Sequence, residues 1–211
     1  MRGVLFDLDG TLVDTLADIV AAMNHVLRQA GFPTHDEAAY RGFIGWGAKT
    51  LVEKALPEAA RGEAERHLAA FRARYLAHLV VETKPYPGVR ALLTALEGRG
   101  VPLGVLSNKP HAMTERVVSQ LFPAVPWKIV LGAREGVPKK PDPAGPRQAL
   151  GALGVAASDC LYVGDTEVDV ATARNAGMIA VGARWGFRGE VLAEAGADHV
   201  LEAPDELLAL L

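Results

Sequence analysis

Four polar clusters in this 211-residue chain sit where a short apolar run ends or a helical pattern begins. Asp7-Leu8-Asp9-Gly10-Thr11 follows an apolar run at 4–6, and Ser107-Asn108-Lys109 follows one at 103–106. Gly164-Asp165-Thr166-Glu167-Val168-Asp169 follows a third at 161–163, and Lys139-Lys140-Pro141-Asp142-Pro143 precedes a helical pattern at 144–153. Taken singly, each has a plain structural explanation. Asp beside Gly suits a turn, Ser107-Asn108 or Asp165-Thr166 suits a helix cap, and one lysine suits a solvated surface. Their joint occurrence is what points to chemistry, because open α/β sheets bind ligands beyond the carboxyl ends of their strands.

The residue types fit one reaction well. A phosphate monoester is dianionic and repels nucleophiles, and a divalent cation neutralises that charge and orients the group. Mg2+ prefers oxygen ligands and keeps several waters, so Asp7 and Asp165 with a backbone carbonyl suffice to hold it. A carboxylate such as Asp7 can also attack phosphorus and split one difficult step into two. Asp9 is placed to protonate the leaving alkoxide and then to activate water, and for the first task its surroundings have to favour the neutral form. Ser107 and nearby backbone N–H groups can hold the transferring oxygens, and Lys140 supplies positive charge to them.

The elements that must position these groups follow from the apolar pattern. Runs at 4–6, 103–106, 129–131, 161–163 and 179–181 lack alternation, as strands buried on both faces do. Helical patterns lie between them at 89–96, 111–121, 144–153, 167–176 and 204–211. Strands alternating with helices predict a doubly wound α/β core with a parallel sheet. From about 15 to 83 the alternation stops, and helical patterns at 17–30, 49–56 and 63–79 replace it. A strand-to-strand crossover needs one helix, so this stretch reads as a helical cap inserted after the first strand. The expected domains are therefore 1–14 with 86–211 as the core and 15–85 as the cap. Breakers at Lys84-Pro85-Tyr86-Pro87-Gly88 suit a hinge.

Composition narrows the classes. Half the residues are hydrophobic, enough for a packed core, and the net charge is −3 with no basic block. Nucleic acid is therefore not expected as a partner, since a phosphate backbone needs a clustered basic face. Cys160 is the single cysteine, which excludes an internal disulfide and a cysteine-rich metal site; a buried structural thiol is expected. No leader pattern opens the chain, and no apolar run approaches the roughly 20 residues that cross a bilayer. A cytoplasmic protein without membrane partners is expected, as a monomer or homodimer. The stretch from Gly42 to Thr50 is a near miss for a P-loop: Ala48 separates Gly47 from Lys49-Thr50 and no strand precedes it.

At these four clusters the chain resembles the haloacid dehalogenase superfamily. Phe6-Asp7-Leu8-Asp9-Gly10-Thr11-Leu12 is similar to its first motif, Ser107-Asn108-Lys109 to its second, Lys140-Pro141-Asp142-Pro143 to its third and Gly164-Asp165-Thr166-Glu167-Val168-Asp169 to its fourth. The resemblance implies a Rossmann-like core, Mg2+ and an aspartyl-phosphate intermediate. It makes Asp7 nucleophile and metal ligand, Asp9 acid/base and a ligand through its carbonyl, and Asp165 a metal ligand. Asp169 becomes a ligand through water or a support for Lys140. Thr11, Ser107, Asn108 and Lys140 are implied at the phosphate.

Within the superfamily, dehalogenases and phosphonate hydrolases lack the second aspartate, which Asp9 supplies here, and sugar phosphomutases of this subgroup usually place Val or Ile where Thr11 stands. The subgroup most similar is the phosphoglycolate phosphatases. Arg41-Gly42-Phe43-Ile44-Gly45-Trp46-Gly47-Ala48 resembles their cap substrate loop, with Arg41 suited to a carboxylate and Gly45 to close backbone approach. The expectation is hydrolysis of a small phosphorylated metabolite. The alternatives are a phosphotransferase, phosphomutase or pyrophosphatase of the same superfamily, or a phosphate-binding module without turnover.

Overall fold

A computed structural model describes residues 2–211. The chain divides into two compact units, one built from the residues up to Asp14 and Pro85–Leu211, the other from Thr15–Lys84.

In the first unit the chain runs from β1 (Gly3–Phe6) to the two-residue β2 (Val13–Asp14) before leaving for the second unit. The second unit holds α1 (Leu16–Gln29), α2 (Glu37–Arg41), α3 (Ala48–Ala55) and α4 (Ala64–Ala77). The chain returns at β3 (Lys84–Pro85) and continues as α5 (Val89–Gly98), β4 (Leu103–Pro110), α6 (His111–Leu121), β5 (Ile129–Ala133) and α7 (Ala144–Leu153). It ends through β6 (Cys160–Gly164), α8 (Glu167–Ala176), β7 (Ile179–Ala183), α9 (Leu192–Ala195) and β8 (His199–Leu201). Six strands form one sheet in the order β5-β4-β1-β6-β7-β8, and every pair is parallel.

Two features of this sheet decide where a site can lie. First, β1 is central: Val4 pairs with Leu103 of β4 on one side and with Leu161 of β6 on the other. The chain winds outward from β1 through β4 to β5, then crosses back to β6, so strand order reverses at β1. Ligand sites of doubly wound sheets lie at that switch point. Second, β1 and β6 are buried at every residue. That is the reason their sequences Gly-Val-Leu-Phe and Cys-Leu-Tyr-Val-Gly do not alternate. Cys160 is a free, buried thiol whose pKa burial pushes up to about 12, the inert structural role expected of it.

The five apolar runs all become sheet strands. Several elements of this unit go beyond the sequence reading, the short β2, β3 and α9 among them. β8 is a three-residue edge strand with His199 exposed, too short for a periodic signal. β4 runs four residues past the expected 103–106, and its register against β5 shifts between Leu106 and Pro110. Such irregularities re-aim side chains at strand ends. The residues re-aimed are Ser107, Asn108 and Lys109. The pattern at 204–211 folds as a 3-10 helix, Pro204–Leu210.

In the second unit, α1 buries Leu16, Ile19, Met23, Val26 and Leu27, a stripe at helical spacing. It packs against α4 and α2, and α3 packs against α4. The buried Asp18 carboxylate fastens the end of this unit to α1. It accepts from Val81 N at 3.0 Å, Glu82 N at 3.0 Å, Thr83 N at 2.9 Å and Thr83 Oγ1 at 2.6 Å. The five-residue α2 was not expected, because it carries only one buried residue, Tyr40.

Candidate active site

The site is built at the carboxyl end of β1. Asp7 N donates to Val163 O at 2.8 Å, which carries the pairing with β6 one residue past β1. The chain then folds back at once. The Leu8 carbonyl accepts from Thr11 N, Leu12 N and Val13 N at 3.3, 3.0 and 3.1 Å. Gly10 makes that turn possible, at φ 86°, and a Cβ there would collide with the Asp165 carboxylate. The tight turn therefore also brings β1 and β6 acids together. The Thr11 hydroxyl donates to Asp165 Oδ1 at 3.2 Å, so it is committed to that acid, and Trp185 Nε1 closes the turn on Thr11 O at 3.0 Å.

Lys140 is the cation at the centre. Its Nζ lies 2.7 Å from Asp169 Oδ1, 2.9 Å from Tyr162 Oη and 3.0 Å from Asp7 Oδ1. Neighbouring Lys139 is exposed while Lys140 is buried. The backbone that presents Lys140 is clamped by Asn108: Lys140 N donates to Asn108 Oδ1 at 2.9 Å, and Asn108 Nδ2 donates to Lys140 O at 3.1 Å. Asn108 thus uses its amide on the Lys140 loop. Asp169 is held from the other side, where its Oδ2 accepts from Thr166 N at 3.0 Å and Thr166 Oγ1 at 2.7 Å, capping α8. Tyr162 Oη donates to Leu106 O at 3.0 Å.

Burial sets the electrostatics. It pushes the Asp7 carboxyl up to about 6; Lys140 pulls the other way, and the charges of Asp169 and Asp9 add to the rise. Burial also raises Asp165 well above the ordinary carboxylate range, with Asp169 and Asp7 adding to it. At Lys140 burial opposes the charge, but Asp169 and Asp7 outweigh it and hold the ammonium well above its usual value. Ligand atoms of Asp7, Asp165 and Asp169 lie within 4.8 Å of one another, all buried. Asp7 Oδ1 has Lys140 nearby but no well-directed hydrogen bond. Crowded buried carboxylate oxygens, one of them undersatisfied, fit a hard divalent cation. Among the described residues no histidine joins this group.

Ser107 is buried in the register shift of β4, and its Oγ accepts from Lys109 N at 3.4 Å. Asp9 is paired across the site: Lys109 Nζ stands 2.8 Å from its Oδ1 and 3.2 Å from its Oδ2. The lysine's side chain is 2% exposed. Lys109 and Tyr162 are the two polar residues at this site to which the sequence reading gave no role. Arg41 and Gly45 belong to the second unit, where Arg41 is the exposed last residue of α2 and Gly45 lies in the following turn at φ 110°.

Sheet order, acids at strand ends and a buried lysine among them define a phosphoryl-handling α/β hydrolase. The comparisons agree. The haloacid dehalogenase-like hydrolase family model matches residues 4–183. A phosphoglycolate phosphatase of Rhodospirillum rubrum is 39% identical over 209 residues, covering 95% of this chain and 87% of that protein. One from Aquifex aeolicus is 34% identical over 211 residues, covering 100% and 97%. The crystal structure of a predicted phosphoglycolate phosphatase from Haemophilus somnus superimposes with a TM-score of 0.91 at 27% identity, covering 100% of this chain and 97% of that one. The chain belongs to the haloacid dehalogenase-like hydrolase family. It is a phosphatase, an enzyme that hydrolyses a small phosphoric monoester. Mg2+ is typical of that family. No helix among the described residues is long and apolar enough to cross a membrane.

Proposed function

We propose that this phosphatase hydrolyses 2-phosphoglycolate with Mg2+, with Asp7 as nucleophile. The observation that carries the assignment of Asp7 is its place beside Lys140, with Asp169 and Asp165 grouped around it. The substrate is suggested by relatives that carry that name over nearly their whole length. Asp7, Asp165 and the Asp9 carbonyl would hold the ion, with Asp169 reaching it through water or acting through Lys140. Bound there, Mg2+ neutralises the phosphoryl oxygens and orients the group.

In this reading one Asp7 oxygen attacks phosphorus, and the bond from phosphorus to the glycolate oxygen breaks. Asp9 gives that oxygen its proton and glycolate leaves. Water then attacks the aspartyl-phosphate, passing a proton to Asp9, and the bond from phosphorus to Asp7 breaks to release inorganic phosphate. Ser107 and Lys140 hold the transferring oxygens throughout. The single buried cysteine and the lack of any membrane-spanning helix among the described residues suit a cytoplasmic enzyme.

The test is a panel of 2-phosphoglycolate, sugar phosphates, pyrophosphate and nucleoside monophosphates with Mg2+, repeated with Asp7→Asn. The expected result is stoichiometric inorganic phosphate from 2-phosphoglycolate and loss of turnover in the variant. Transfer of the phosphoryl group to a second alcohol would favour a phosphotransferase instead. Substantial turnover in Asp7→Asn would remove the assigned nucleophile.

A further inference from the structure

Lysine is rarely buried unless paired. Among the described residues two lysines and no arginine are buried, and both stand in the active site. Lys140 is grouped with Asp7 and Asp169, on the side of the acid assigned to attack phosphorus. Lys109 is grouped with Asp9, the acid assigned to the leaving oxygen. The site therefore carries two separate positive poles, one beside the acid assigned to the bond that forms and one beside the acid assigned to the bond that breaks. The transferring phosphoryl group is assigned to the first pole, and the second lies on the side of the leaving alcohol.

We propose that Lys109 is a specificity residue that binds a second anionic group on the alcohol part of the substrate. This rests on the phosphoglycolate reading and deepens it to a substrate class: short phosphate esters with a carboxylate next to the ester carbon. The argument is one of reach. An acid that protonates the leaving oxygen stands within hydrogen-bond distance of it, about 2.6–3.2 Å. Lys109 Nζ is a further 2.8 Å from Asp9 Oδ1. A carboxylate two bonds from the leaving oxygen falls in the same span. Lys109 is also held in place for this. Its backbone lies in the register shift of β4, its N–H donates to Ser107 Oγ at 3.4 Å, and its carbonyl accepts from Thr114 Oγ1 at 3.2 Å. A fixed, buried ammonium discriminates, because a substrate carboxylate adds a charged partner to it beside Asp9 and an uncharged group does not.

Two other readings make different demands. If Lys109 serves only to position Asp9, its loss slows all esters alike. If Arg41 of the second unit recognises the carboxylate, loss of Lys109 leaves the preference intact and Arg41→Ala removes it. The experiment compares kcat/KM for 2-phosphoglycolate, its uncharged amide and ethyl phosphate in wild type, Lys109→Met, Lys109→Arg and Arg41→Ala. The expected result is that Lys109→Met lowers the preference for 2-phosphoglycolate over its amide by about 10- to 100-fold, the range for one charged hydrogen bond. Lys109→Arg is expected to restore part of it, while the ethyl phosphate rate changes less.

An equal loss on all three esters in Lys109→Met overturns the proposal, as does a preference that only Arg41→Ala abolishes. A wild type with no preference for 2-phosphoglycolate over its amide sinks the phosphoglycolate reading itself, which is a different outcome. Should Lys109→Met not fold, inhibition of Arg41→Ala decides. Glycolate is expected to inhibit its ethyl phosphate hydrolysis at concentrations where ethylene glycol does not, and equal inhibition by the two overturns the proposal.

Discussion

Asp169 Oδ1 lies 2.7 Å from Lys140 Nζ, while Asp169 Oδ2 accepts from Thr166 N and Thr166 Oγ1 at the start of α8. One carboxylate thus ties the site's central cation to the end of β6 and the first turn of a helix. The two jobs predict a double penalty for Asp169→Ala. Stability should fall by about 1–3 kcal/mol, because the buried Thr166 donors lose their acceptor while Lys140 keeps Asp7 as its partner. The kcat should fall by roughly a hundredfold with KM less affected, since the role proposed for Lys140 is on charge that grows toward the transition state. Thermal unfolding and steady-state kinetics of the variant check both. Unchanged kcat in a folded variant would show that Lys140 needs no support from Asp169.

The Asp7 carboxyl, pushed up to about 6 by burial, predicts a pH signature in metal-free protein. Its folded value lies above the 3.8 of an ordinary aspartate. The native state therefore holds this proton where the unfolded chain has lost it. The strain is absent below pH 4, grows between about 4 and 6, and is fully present above 6, on the order of 3 kcal/mol. With EDTA present, wild type should lose stability relative to Asp7→Asn as pH rises through that window. Mg2+ requires the ionised form, so its stabilisation of wild type should be larger at pH 7.5 than at pH 5. Calorimetry at both values tests this; equal Mg2+ shifts would argue against Asp7 as a ligand.

The acids of this site could be read from the sequence because each follows an apolar run, and in a parallel sheet runs end on one side. Asp7, Asp9, Asp165 and Asp169 need only that rule. Tyr162 was hidden for the same reason. It stands inside the run of β6, where a tyrosine reads as packing. Its hydroxyl reaches Leu106 of β4 across the position of β1, a relation that exists only once strand order is known. Lys109 lay in full view within its motif, but its pairing with Asp9 depends on the register shift after Leu106, which no local pattern encodes. Asn108 stands in its motif at a strand end, but its hold on the Lys140 backbone, 32 residues away, shows only in the fold. The short β8 and α2 carry too few buried positions to register as periodic.

Tyr162 offers a milder test of how Lys140 is held. Its phenol takes one of the ammonium's bonds and donates its own proton to Leu106 O. Tyr162→Phe keeps the ring and removes that link, leaving the Leu106 carbonyl without this donor. Stability should fall by about 1–3 kcal/mol. The kcat should fall several-fold with KM nearly unchanged, a pattern that packing loss alone would not produce. Equal kcat in wild type and variant would assign Tyr162 to the core and nothing more.

Asp18 predicts a defect confined to the second unit. Its carboxylate accepts from three backbone N–H groups and one hydroxyl, all contributed by Val81, Glu82 and Thr83. Asp18→Ala strands those donors in a buried setting, at about 1–3 kcal/mol for each that water does not reach. Asp18→Asn keeps the shape but turns an N–H2 toward N–H donors, so it should recover only part of the loss. Hydrogen exchange separates a local effect from a global one. Amides of Val81, Glu82, Thr83 and the first turn of α1 should lose protection in Asp18→Ala. Those of β1 and β6, in the first unit, should keep theirs. Uniform loss of protection across both units would show instead that the carboxylate is an element of global stability.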